Sequence, residues 1–120
     1  MKTYFLDCSD SEREKIFREN LDDISNCIEN LIRYNYLTKK DWKKISLVCC
    51  SDPFFVDFAQ KFIDFLDIII LSKGNLPIEF IEKNIKKFDW YYLSSNPVLT
   101  EEFIQKHSEK INWQSKFLNK

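Results

Sequence analysis

The chain repeats itself, and that constrains its fold more than any other feature. LPIEFIEKNIKKFDW, residues 76–90, returns 23 residues later as LTEEFIQKHSEKINW. Leu76/Leu99, Glu79/Glu102, Phe80/Phe103, Ile81/Ile104, Lys83/Lys106, Lys87/Lys110 and Trp90/Trp113 are identical pairs. Glu82/Gln105, Phe88/Ile111 and Asp89/Asn112 are near-matches. Seven identities in fifteen positions, set on an aromatic framework, mark an internal duplication, which is settled before any other structural reading.

Older copies lie upstream. Asp41-Trp42 and Ile45-Ser46 align with Asp89-Trp90 and Leu93-Ser94, and Ser51-Asp52-Pro53 with Ser95-Asn96-Pro97. At a spacing of 22, Phe58, Lys61, Leu66, Asp67 and Ser72 fall on Phe80, Lys83, Phe88, Asp89 and Ser94. One domain, 1–120, therefore divides into an N-terminal cap at 1–40 and units near 41–50, 51–73, 74–96 and 97–120. The 51–73 unit is degenerate, with Ile68 where its neighbours have Trp.

Each unit predicts two helices. Thr100 followed by Glu101-Glu102 is a hydroxyl cap with acids in the first turn, and Pro77 is tolerated in its place. A helix of about three turns follows, with Leu99, Phe103, Ile104 and Ile111 on its apolar stripe. Asp89, like Asp41, Asp67 and Asn112, is suited to cap a shorter second helix that opens at the Trp position; Ser-Asn-Pro then ends it. Such a pair cannot bury its face alone and must stack on its neighbours. The expected fold is all-α: a short α-solenoid of two-helix repeats, with Trp42/Ile68/Trp90/Trp113 and Phe58/Phe80/Phe103 as its columns. One Gly and three Pro leave too few tight turns for a β-sandwich or barrel.

Residues 9–36 read as the capping helix, in one piece or two. Ser9 and Glu12 have capping-box spacing, and Ile16, Phe17, Leu21, Ile24, Ile28, Leu31 and Ile32 recur at helical steps.

The pattern DWYYLSSNPVLTEEFIQKHSEKINW closely resembles short helical repeats found in proteins of large DNA viruses, bacteriophages and low-GC bacteria. The resemblance spans roughly residues 41–120. It implies the repeat fold and a phage or viral setting, and brings no catalytic role or ligand with it.

No catalytic residue, metal site or cofactor is expected. The one histidine, His107, falls between Phe103 and Ile111 on the apolar side of its helix, with no second His or Cys pair to assist it. Cys49-Cys50 are adjacent, a poor geometry for a relaxed disulfide, and read as small buried hydrophobes. Gly74 alone makes no phosphate loop. The start carries Asp7 and Asp10 where a signal peptide would be apolar, and the most apolar run, 53–71, carries four charges. A cytosolic location, without a membrane span, is expected.

Two kinds of binding surface remain. Lys61, Lys83 and Lys106 recur at one repeat position, and Lys43 and Lys44 add to a basic cluster. These are the candidate nucleic-acid contacts. Asp57, Glu79 and Glu102 stand four residues before the lysines, where they are expected to pair with them. With a formal net charge of −1, the chain lacks the basic excess of a dedicated nucleic-acid binder.

The second surface comes from comparing units. A position that is polar in some units should face solvent, so an apolar residue there is out of place. Ile69 answers to Lys43, Tyr91 and Gln114; Ile70 to Lys44, Tyr92 and Ser115. Phe65 answers to Lys87 and Lys110, and Phe62 to Asn84 and His107. Phe62, Phe65, Ile69, Ile70, Tyr91 and Tyr92 thus form a candidate protein-binding patch, unless the N-terminal helices cover it. The expected function is a non-enzymatic protein-interaction module that binds a larger host protein or ribonucleoprotein. The setting suggests an anti-CRISPR-like inhibitor of a host defence effector. An RNA- or DNA-binding module and a self-assembling structural protein are the alternatives.

Overall fold

The structure is a computed structural model that describes residues 4–118. The outermost residues of the N-terminal cap and of the 97–120 unit lie outside the described residues. Those described are all-helical, with no strand among them.

The N-terminal cap is three helices: α1 (Tyr4–Asp7), α2 (Asp10–Glu19) and α3 (Leu21–Arg33). Ser9 accepts the Glu12 amide at the start of α2, as its spacing predicts. The run read from 9 to 36 breaks at Asn20, which leaves helical geometry at φ −133°, ψ 34°. Its backbone amide and its Nδ2 both donate to the Ile16 carbonyl. α3 stops where Asn35 turns left-handed at φ 57°. There the Tyr36 and Asn35 amides close on the Leu31 and Ile32 carbonyls, a Schellman ending with asparagine in the usual glycine place. α1 is not foreshadowed by the helical spacing. Arg13 holds it: its buried guanidinium donates to the Phe5, Leu6 and Cys8 carbonyls at 2.8, 3.3 and 2.6 Å, and to Asp10 at 2.7 Å.

α4 (Lys39–Cys49) is the hub, opened by a reciprocal Thr38/Asp41 capping box. It packs on α1, α2, α5 (Val56–Lys61) and α6 (Ile68–Ser72), and α6 packs in turn on α8 (Trp90–Leu93). α7 (Ile78–Lys83), α9 (Glu101–Lys106) and α10 (Trp113–Leu118) complete the order.

The sequence period has a backbone counterpart. α5, α7 and α9 each run six residues and end at Phe62, Asn84 and His107, whose φ/ψ are −110/19°, −113/24° and −111/25°. The predicted three-turn helices are therefore shorter than their apolar spacing suggests. The chain leaves the α-region here, makes a further turn and becomes extended at Asp67 and Asp89, freeing those side chains to cap α6 and α8. Asn112 caps α10 through the Ser115 amide. Ser46, Ser72 and Ser94 are wholly buried, each donating to the carbonyl four residues back at Trp42, Ile68 and Trp90. Ser46 and Ser94 also accept the amides of Asp67 and Asn112, at 2.7 and 2.8 Å, fastening the next capping residue in place.

One apolar core runs through cap and units. Phe17 is its junction, with ring centroids 5.6 Å from both Phe5 of α1 and Phe58 of α5. Phe58, Phe80 and Phe103 are all buried, as the Phe column requires. Trp42 and Trp90 are half-buried, while Trp113 at the far end is exposed. The molecule measures 46 × 26 × 22 Å with a radius of gyration of 15.3 Å. A chain of this length packed evenly in all directions would have about 13.6 Å, so this one is elongated. Among the described residues every buried side-chain N or O has a hydrogen-bond partner.

Candidate interaction face

Three consecutive second helices, α4, α6 and α8, lie side by side and present equivalent positions outward. Lys43, Ile69, Tyr91 and Gln114 are all exposed, as the comparison of units requires. Phe65, Lys87 and Lys110, in the turns that lead into the second helices, are exposed as well. Phe65, Ile69 and Tyr91 keep 46%, 40% and 49% of their surface in solvent. α1, α2 and α3 do not cover them.

The patch has internal order. The Phe65 ring stacks on Trp42 at 5.2 Å and 16°, bridging the turn before α6 to α4. Tyr91 and Tyr92 meet edge to face at 5.1 Å. Tyr92 is half-buried with the Lys73 ammonium 4.8 Å over its ring, and Ile70 is half-buried too. Trp42 and Lys73 belong to this face but were not among the predicted contacts, and Leu47 is exposed on α4, lining a cleft with Asp10 and Glu14 of α2. For Leu47 the signal was present: its counterparts Lys73 and Ser95 are polar, the same test that finds Ile69.

Phe62 does not belong to the patch. It is 3% exposed, packed against Phe58 and Trp42 at 5.0 and 6.4 Å. Its polar counterparts also point inward, because each is satisfied across a unit boundary. Asn84 donates to Gln60 Oε1 at 2.7 Å and accepts from Gln60 Nε2 at 3.2 Å. His107 Nε2 lies 3.0 Å from Glu82 Oε1. Polarity in a sister unit therefore signals exposure only where no neighbouring unit offers a partner.

The lysine column is exposed, and two of its three charges meet carboxylates. Lys61 pairs with Glu29 of α3 and donates to Ser25 at 2.8 Å. Lys106 reaches Glu82 at 3.5 Å, and Lys83 shares a cleft with Asp57 and Glu79. Among the described residues, the predicted pairs of Asp57, Glu79 and Glu102 with the lysines four residues on are not formed. Lys61 turns instead to Glu29 of α3, and Lys106 to Glu82 of α7. Lys44 is committed to the Leu6 carbonyl at 2.7 Å, which leaves Lys43 as the predicted contact that projects from the face.

Cys49, Cys50 and His107 lie among packed side chains. Cys49 is buried, and burial beside Cys50 pushes its thiol far above the ordinary range. Burial also raises Cys50, which packs under Gly74. His107 lies against Phe103 and Trp90 at 4.6 and 5.5 Å. Burial alone would raise the Glu82 carboxyl, but the His107 hydrogen bond and the charges of His107 and Lys106 outweigh it and hold Glu82 below its ordinary value. Among the described residues no three His, Cys, Asp or Glu side chains are grouped to hold a metal ion. None of their helices is long and apolar enough to cross a membrane.

No protein family, no curated protein and no solved structure is found to match this chain.

Proposed function

We propose that the chain is a short α-solenoid of two-helix units, capped by α1–α3, that works by stoichiometric protein binding without a cofactor. The exposed Phe65 in the turn before α6, Ile69 of α6 and Tyr91 of α8 carry this reading. Ile69 and Tyr91 hold equivalent positions on adjacent helices; large apolar side chains kept in solvent are what a protein-binding surface needs, and tyrosine is a common anchor. The formal net charge of −1 and the pairing of Lys61 and Lys106 with carboxylates argue against nucleic acid as the main ligand. The target, by the resemblance of the repeats, is a host defence complex in the cytosol, and the mode of action an anti-CRISPR-like blockade.

The test is capture of partners from bacterial lysate, with and without nuclease, by wild type and by an Ile69→Glu/Tyr91→Glu variant. A large protein partner that survives nuclease and is lost in the variant is the expected result. Equal capture by both proteins would remove the face from the binding account, and loss of every partner on nuclease treatment would transfer it to RNA. The exposed Trp113 and Phe117, stacked at 6.2 Å at the far end, favour self-assembly as a second reading. Light scattering that finds a monomer at high concentration would exclude it.

A further inference from the structure

We infer that the corner between α3 and α4 is a second binding site, for single-stranded nucleic acid. Tyr34 and Tyr36 stack on bases there, and Arg33, Lys39, Lys40 and Lys43 hold the flanking phosphates. The site shares no residue with Phe65, Ile69 and Tyr91, and stands or falls separately from the protein-binding reading.

The aromatic half is two exposed rings on an ordered turn. Tyr34 and Tyr36 keep 59% and 65% of their surface in solvent, more than any other large apolar or aromatic side chain among the described residues. Their ring centroids are 6.2 Å apart, with the planes tilted by 32°. The Tyr34 amide donates to Asn30 and the Tyr36 amide to Leu31, with left-handed Asn35 between them, so the backbone that carries the rings is fixed. Every base has a π-face, and such rings take a strand without reading its sequence. In a duplex those faces are closed by stacking on their neighbours.

The charge half is local. Residues 33–44 carry five basic side chains and one acidic, in a chain whose formal net charge is −1, so the remainder is acidic. Arg33, Lys39, Lys40 and Lys43 are exposed, and among the described residues none of the four is in an ion pair. Asp41 is the one carboxylate of the segment, and it accepts the Thr38 amide and hydroxyl at 2.9 Å each. Glu29, one turn before Arg33, pairs with Lys61, and Asp64, next to the Phe65 that stacks on Trp42, pairs with Lys87. Each of those pairs is neutral as a whole, so the basic surplus of the corner remains.

The lysines also stand against local stability. α2 opens on Asp10 and Glu12 and α3 on Asp22 and Asp23, as the positive end of a helix dipole favours. α4 opens on Lys39-Lys40 instead, with Asp41 of the capping box to offset them. Lys39 and Lys43 are four residues apart on one helix, a like-charge pair that is destabilising. Where the other units bury Leu66, Phe88 and Ile111 before the second helix, this one exposes Lys40. A polyanion lying on the corner relieves both penalties, which none of the described ion pairs does.

The test is fluorescence anisotropy with a labelled oligouridylate of about 12 nucleotides, the length of a single module's footprint. An RNA duplex of equal length, polyglutamate and phosphatidylserine vesicles compete with it. The single strand is expected to bind in preference to all three. Tyr34→Ala/Tyr36→Ala should weaken it about tenfold or more, while Tyr34→Phe/Tyr36→Phe keeps the rings and the binding. Lys39→Gln/Lys40→Gln should lower the slope of log affinity against log salt by about 1.4. The same substitution should raise the melting temperature of the free protein by about 2–5 °C, since it removes charges the helix end disfavours. Lys83→Gln/Lys106→Gln, on the lysine column, should leave the slope unchanged. Equal binding of polyglutamate or duplex, preference for the vesicles, tyrosine-independent binding, or no binding at low salt would each overturn the inference. A melting temperature lowered by the lysine substitutions would do so too, because it would make those lysines structural. Ile69→Glu/Tyr91→Glu should bind the strand within about twofold of wild type, which keeps failure of the face distinct from failure of the corner.

Discussion

His107 reaches back to Glu82 across the last unit boundary at the same repeat positions where Asn84 reaches back to Gln60 across the boundary before it. One joint is titratable and its twin is not. Because the folded value of Glu82 is held below its ordinary 4.5, the carboxylate contributes stability above that pH and loses it as pH falls through the lowered value. The Glu82→Gln/His107→Asn variant copies the neutral joint. Its urea midpoint should fall less than that of wild type between about pH 6 and about pH 3. Asp52 is also held low, by the Phe54 amide and Arg18, and is present in both proteins, so only the difference between them reports the Glu82/His107 joint. Identical midpoint shifts would remove the ion pair from the joint.

Phe17 joins the cap to the units through Phe5 and Phe58. Phe17→Ala should cost about 3–5 kcal/mol of unfolding free energy, with one cooperative transition retained if destabilisation is shared by cap and units. A loss below about 1 kcal/mol in urea denaturation would mean the two do not share a core.

Arg13 satisfies three carbonyls from inside the protein. Arg13→Met leaves them unpaired and should cost about 2–4 kcal/mol, with amide exchange rising first in the segment beside α1. Asp10 is largely solvent-exposed, so Asp10→Asn should cost well under about 1 kcal/mol. Comparable losses in the two would show that the Asp10 ion pair, rather than the carbonyl contacts, is what matters.

Gly74 is needed for close approach. A Cβ placed there would stand 2.1 Å from Cys50 Cβ, so Gly74→Ala should destabilise by about 1–3 kcal/mol. Cys50→Ala keeps the clashing atom and should not rescue it, whereas Cys50→Gly should recover part of the loss. Thermal melts of the two double variants separate these outcomes, and rescue by Cys50→Ala would place the conflict at the sulfur.

How much of the face was legible depended on the kind of information each residue carries. Ile69, Tyr91 and Phe65 were found by comparing units, since exposure is shared by all members of those columns. Phe62 was misplaced by the same comparison, because the polarity of Asn84 and His107 reflects partners one unit back. Arg13 left no trace in helical spacing: its work is on carbonyls of α1, which spacing does not reveal.

The sequence by itself determined the caps at Asp67 and Asp89 where α6 and α8 begin, while α4 opens at Thr38, three residues before the expected cap at Asp41. Helix starts depend on caps and turns whose partners lie within about four residues of one another, so the order of residue types suffices. Only the tertiary structure decided which column faces a neighbour, which carboxylate each lysine takes and where Ser46 and Ser94 send their second hydrogen bond. Those partners lie 18 to 36 residues apart. They meet through the packing of one helix on another, which the sequence period leaves open and side-chain fit sets.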